Sequence, residues 1–162
     1  MSPLLRLLKS SLGKKYLMAL TGIGLFGFVV MHMIGNLQVF LGPEAINKYA
    51  HFLQSTPELL WPARLGLLGM VVVHILCGVS LAIENMQARE QAYAVNRTVK
   101  ASLSSRTMVV SGLVIVSFIG YHLAHFTLLT THPEYRHMER NGLHDVYGMI
   151  VAGFSDYRIA SW

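Results

Sequence analysis

From Tyr16 to Leu41 the chain reads YLMALTGIGLFGFVVMHMIGNLQVFL, without one Lys, Arg, Asp or Glu. About 20 predominantly apolar residues carry a helix across roughly 30 Å of hydrocarbon, so a run of this length is a membrane span before it is anything else. Two more follow, over about 61–83 and 108–130. Arg64 lies near enough to the start of the second to snorkel to the surface, and the third again lacks charged side chains. Composition agrees. Hydrophobic residues make up 53% and charged residues 13%, against roughly a quarter charged in ordinary soluble domains. Too little polar surface remains to cover a soluble core, whereas lipid solvates an apolar exterior. The chain therefore reads as all-α: a transmembrane helical bundle forming one membrane-anchor domain over 1–162, with three complete spans and the start of a fourth.

The net charge of +5 does not point to nucleic acid, because the cations sit between the apolar runs and are not interleaved with aromatics. Their placement predicts orientation. Arg6, Lys9, Lys14 and Lys15 precede the first span, and Arg89, Arg97, Lys100 and Arg106 follow the second. Only Lys48 and Arg64 lie between spans one and two, and only Arg136 and Arg140 follow the third. Eight against four puts the N-terminus and the second loop on the cytoplasmic side of an inner membrane. The basic start resembles a signal peptide, but the apolar run after it exceeds the 7–15 residues of a signal core, so it is read as an uncleaved span. The single cysteine, Cys77, excludes an internal disulfide and argues against an iron–sulfur cluster held by this chain.

Between the first two spans, PEAINKYAHFLQSTPE predicts a short amphipathic surface helix, with Pro43 at its start and Pro57 stopping it. The segment between spans two and three is polar and basic. After span three comes a polar turn region. Residues 143–162 are apolar but interrupted by Asp145, Asp156 and Arg158, and read as the approach to a fourth span.

Each complete span holds a histidine well inside it: His32, His74 and His122. An ionisable side chain at that depth costs several kcal/mol unless it is paired or ligated, and neutral imidazole is the commonest metal ligand. A hydrogen bond to a neighbouring carbonyl would explain one such histidine; three, one per span, favour a bound metal or haem. At helical spacing His32 shares a face with Gly24, Phe28 and Gly35, and His74 with Gly66, Met70 and Gly78. Gly24, Gly35, Gly66 and Gly78 would let a flat macrocycle approach the backbone; the same glycines also suit close helix–helix contact. The spans offer no carboxylate or thiolate cluster to complete a zinc site. Haem needs only axial ligands, and one on each face makes a six-coordinate electron carrier.

Depth suggests the pairing. His32 lies nine residues from Leu41, His122 eight from Thr130, and His74 thirteen from Trp61. At 1.5 Å per residue the first two are nearly level in the outer half, and His74 lies roughly 6 Å deeper. His32 and His122 would clamp one haem, with His74 serving a second nearer the cytoplasm. His125, one turn beyond His122, is the rival ligand or a contact for a quinone or a haem propionate. Met31, Met33 and Met70 are sulfur donors that packing explains equally well. His51, His132, His137 and His144 lie in polar segments and read as solvated. Lys48, Lys100 and Arg106 are candidate partners for propionates, against the simpler reading of orientation signals.

SSLGKKYLMALTGIGLFGFVVMHMIGNLQVFLGPEAINKYA, VVVHILCGVSLAIEN, YHLAHFT and HDVYGMIVAGF together resemble the cytochrome b subunit of succinate dehydrogenase/fumarate reductase in its single-anchor, dihaem form. The likeness covers nearly the whole chain. It implies a five-helix membrane anchor with two haems b and one ligand from each of the first four helices. His32 and His122 would then hold the haem far from the soluble subunits, and His74 the near one. It also implies a non-catalytic electron-transfer subunit that docks a flavoprotein and an iron–sulfur protein on the cytoplasmic side and exchanges electrons with a membrane quinone, menaquinone in most such anchors. The fourth ligand should lie in a span after VYGMIVAGF, so the chain to Trp162 reads as a fragment. Rival readings are the cytochrome b anchor of another quinone-linked dehydrogenase or hydrogenase, and a haem-free anchor or transporter with a histidine proton path.

Overall fold

A computed structural model describes residues 10–88 and 101–155. Arg6 and Lys9, the loop cations Arg89, Arg97 and Lys100, and Asp156 and Arg158 lie outside the described residues. The described chain is helical but for one short hairpin: α1 (Ser11–Asn36), a 3-10 turn (Leu37–Leu41), α2 (Pro43–Gln54), α3 (Pro57–Gln87), α4 (Leu103–Arg106), α5 (Met108–His122), a π turn (Leu123–Thr127), a second 3-10 turn (Pro133–His137), β1 (Glu139–Arg140), β2 (Leu143–His144) and α6 (Val146–Ser155). Three stretches are long and apolar enough to cross a membrane: Ser11–Leu41, Pro57–Gln87 and Met108–Thr127. Large apolar side chains such as Leu20, Ile23, Phe26, Leu113 and Phe118 stand exposed along them, a surface suited to lipid and not to water.

The helix boundaries have local causes. Ser10 caps α1: its hydroxyl accepts from the Gly13 N–H at 3.1 Å and its carbonyl from the Lys14 N–H at 3.0 Å. No proline interrupts the helix, and it ends beyond Asn36 in a tighter turn. Gly42 then takes a φ of 99°, a conformation glycine alone adopts freely, and Pro43 opens α2 at a first-turn position where its missing N–H costs nothing. Pro57 does not act as the stop expected of it. α2 ends by itself at Gln54, where Ser55 and Thr56 turn their hydroxyls back onto the Phe52 carbonyl. Pro57 is instead the first residue of α3. That helix runs four residues beyond the expected end at Ile83, which brings Glu84 inside it.

The chain divides into two compact units, 1–26 with 66–118 and 27–65 with 119–162. In the first, α1 and α3 pack antiparallel along one seam. Lys14 pairs with Glu84, the Met18 side chain reaches Gly78, Thr21 meets His74 and Gly24 meets Met70. The contacts advance by three or four residues along α1 and by four to six along α3, running in opposite directions on the two helices. Lys14 also bonds Ser80 at 2.7 Å, and Ser11 bonds Glu84 at 3.1 Å, so the charged end of the seam is a closed polar cluster.

In the second unit the core is Leu129, Tyr135 and Met149, with Phe126, Met138 and Ala152 against them. A polar knot joins α2 to α6. Asp145 Oδ1 accepts from the Asn47 amide at 2.9 Å and from the Gly148 N–H at 3.1 Å, while Oδ2 accepts from Arg140 Nε at 3.0 Å. Asn47 Oδ1 in turn accepts from the Tyr147 N–H at 2.9 Å. Asp145 is thus an N-cap for α6, and Asn47 supplies a second cap from another helix. Both are buried, and hydrogen bonding permits that.

Candidate functional site

Within the second unit, His32 near the end of α1 and His122 at the end of α5 meet. Their ring centroids are 5.8 Å apart and their planes perpendicular. With metal–nitrogen bonds of about 2 Å, two imidazoles on opposite sides of one ion hold their ring centres roughly 6 Å apart. The observed separation fits two ligands on one ion, and it fits edge-to-face packing of two rings equally well. Phe28 stacks on His32 at 5.3 Å and Phe126 lies 5.5 Å from His122, so each imidazole has an aromatic neighbour. Among the described residues no three His, Cys, Asp or Glu side chains converge as metal-site donors. A donor set of two imidazoles suits a haem, whose ring supplies the other four nitrogens, and does not suit zinc.

Backbone chemistry places the pair. The Asn36 amide donates to the His32 carbonyl at 2.8 Å, tying down the last turn of α1. Beyond His122 the chain departs from α geometry: the Leu128 N–H reaches the Leu123 carbonyl at 2.7 Å, an i to i+5 bond. Such π turns recur at functional sites. This one separates His122 from His125, which simple helical spacing sets on one face. His125 is fully buried against Phe126, His132 and Tyr135. Its Nδ1 lies 3.2 Å from Thr131 Oγ1, while Nε2 has no hydrogen-bond partner. Nε2 faces Gly153 so closely that a Cβ there would sit 2.9 Å from it. Walled in on both edges, His125 is a core histidine of this unit, and His122 is the one that faces His32.

His74 lies in the first unit, with Nδ1 3.0 Å from Thr21 Oγ1. The glycines divide by neighbour. A Cβ on Gly24 would meet the Met70 sulfur at 2.7 Å, and one on Gly35 the Tyr49 ring at 2.9 Å; Gly78 faces the end of Met18 at 3.8 Å. These three therefore serve side chains packed on their own helix faces, not an open approach for a macrocycle. Gly66 has nothing within 4 Å. Met70, a candidate sulfur donor, is spent on that contact with Gly24. Beside His32, a cavity of about 160 Å³ is lined by Gly35, Asn36, Ile46, Tyr49, Ala50 and Leu53, smaller than the 300–1,000 Å³ of ordinary ligand pockets.

Of the polar-segment histidines, His132 pairs with Glu134 at 2.8 Å and stacks on Tyr135, and His144 Nε2 contacts the Met149 sulfur at 3.1 Å. Lys48 pairs with Glu44 at 2.7 Å on the exposed face of α2, which accounts for it without a propionate. Sequence reasoning missed three features: the Asn47–Asp145 knot, the Lys14–Glu84 pair and the Thr21 contact. The first two carry the signal that polar residues flanking apolar runs need partners. The third carries only a lone hydroxyl in an uncharged span.

Comparisons with protein families, with curated proteins and with solved structures find no match.

Proposed function

We propose that this chain is a haem-b-holding membrane anchor that relays electrons between an iron–sulfur subunit and membrane quinone, the cytochrome b subunit of a succinate dehydrogenase or fumarate reductase complex. The observation that carries the haem assignment is the opposed pair His32 and His122, 5.8 Å apart. The complex is suggested by the four sequence segments that resemble that family. Bound haem would supply a one-electron redox centre. His32 and His122 would hold it, Phe28 and Phe126 would keep water from it, and the polar ties of Asn36 would fix the His32 turn. His74 would help to hold a second haem, as the family resemblance implies.

In this reading the chain lies in the cytoplasmic membrane with its N-terminus inside, as the Lys/Arg distribution favours. Flavoprotein and iron–sulfur partners would dock on that side, and succinate or fumarate chemistry would belong to them, since no FAD or dicarboxylate motif is present in the sequence. Affinity purification of the tagged chain from its own membranes tests the assignment. A flavoprotein and an iron–sulfur protein that together couple succinate oxidation to quinone reduction should copurify. Recovery of hydrogenase or formate dehydrogenase subunits in their place would assign the anchor to another quinone-linked enzyme.

A further inference from the structure

Thr21 sits where α1 crosses His74 on the α1–α3 seam. Thr21 Oγ1 lies 2.6 Å from the Leu17 carbonyl oxygen, 3.2 Å from that of Met18, and 3.0 Å from His74 Nδ1. A hydroxyl has one hydrogen to give and two lone pairs to receive. A carbonyl oxygen has no hydrogen, and two oxygens 2.6 Å apart with none between them repel. The Thr21 hydrogen is therefore committed to its own helix backbone, as intrahelical threonines commonly arrange it. The hydrogen in the contact with His74 has to come from the ring.

We infer that Thr21 is a positioning residue that holds His74 in the tautomer protonated at Nδ1, leaving the Nε2 lone pair as the imidazole's donor. Gly22 supports the orientation: from a Cβ built there, Cε1 lies at 3.4 Å and Nδ1 at 3.8 Å, and no other ring atom comes within 4 Å. The Nδ1–Cε1 edge thus rests on α1. Metal-bound histidines almost always donate their second N–H in this way, which fixes the ring and raises its basicity. The tautomer follows from the count of hydrogens alone. What Nε2 meets rests on the proposal that His74 is a haem ligand.

The test is ¹⁵N-histidine solid-state NMR of the full chain in bilayers, dithionite-reduced, with the His74 signals assigned by their loss in H74Q. The wild type and T21S should show His74 protonated at Nδ1. T21V should lose that single state and give up the haem at His74 about 10- to 100-fold more readily to an apo-haemoprotein acceptor. An unprotonated Nδ1 in the wild type overturns the inference, as does a T21V spectrum equal to the wild type's; the wild-type spectrum decides alone if T21V does not fold. A chain that binds no haem yet shows the Nδ1 proton, lost in T21V and kept in T21S, supports the role of Thr21 and refutes the haem assignment.

Discussion

His122 and His125 are three positions apart in sequence and sit in different surroundings. His122 faces a second imidazole, whereas His125 is sealed in the core with one nitrogen unpartnered. An apolar side chain at 125 would remove the unpartnered Nε2 and give up the Nδ1 contact with Thr131, whose exposed hydroxyl water can satisfy. On the proposed function, H125L should keep the wild-type haem content, while H122L should lose the haem proposed for the His32–His122 pair; pyridine haemochrome assays of the two variants check this. Asp145 provides a second prediction at this scale. Burial pushes its carboxyl upward, but the bonds from Asn47, Gly148 and Arg140 outweigh that and hold it below its usual value of 3.8. A carboxyl whose folded value is depressed stabilises the fold above its unfolded value and loses that contribution as pH falls through the folded one. The thermal stability of the wild type should exceed that of D145A near neutrality, and the gap should close as pH is lowered below about 4, read by circular dichroism in detergent. Asn47→Ala should cost about 1–3 kcal/mol, because it leaves the Tyr147 N–H and one Asp145 contact unmet in a buried site.

Elements were legible in the sequence where length and charge alone decide them. The three apolar runs and the amphipathic α2 are bounded by cations, proline and glycine, and the structure forms all four as helices, three of them long and apolar enough to cross a membrane. The π turn was not legible: nothing in LAHFT departs from an ordinary apolar helix, and the extra residue appears only in the bond from Leu128 to Leu123. Nor was the function of the glycines, since a small residue on a helix face serves a flat ligand and a neighbouring side chain equally well by spacing. Their neighbours now separate them. G24A places its Cβ against the flexible sulfur end of Met70, which swings aside, so its effect should stay under about 1 kcal/mol. G35A drives a Cβ into the Tyr49 ring and should cost about 1–3 kcal/mol. Thermal unfolding of both variants measures the difference, and equal destabilisation would contradict these contacts.

At the scale of the whole molecule, three helices are long and apolar enough to cross a membrane, as in a multi-pass membrane protein, and the Lys/Arg distribution in the sequence carries the proposed orientation. With Cys77 as the single cysteine, topology is open to direct labelling. In intact cells a membrane-impermeant maleimide should modify C77S/K48C and leave C77S/S102C untouched until the cells are broken; the reverse pattern would invert the orientation. The central claim is that two imidazoles held 5.8 Å apart, each with an aromatic neighbour, are a haem's axial ligands. The reduced-minus-oxidised spectrum of the purified chain tests it most directly, set beside that of H32A. A b-type α band that falls by one haem per chain in H32A is the predicted result, and a spectrum without that band, or one that H32A leaves unchanged, would contradict it.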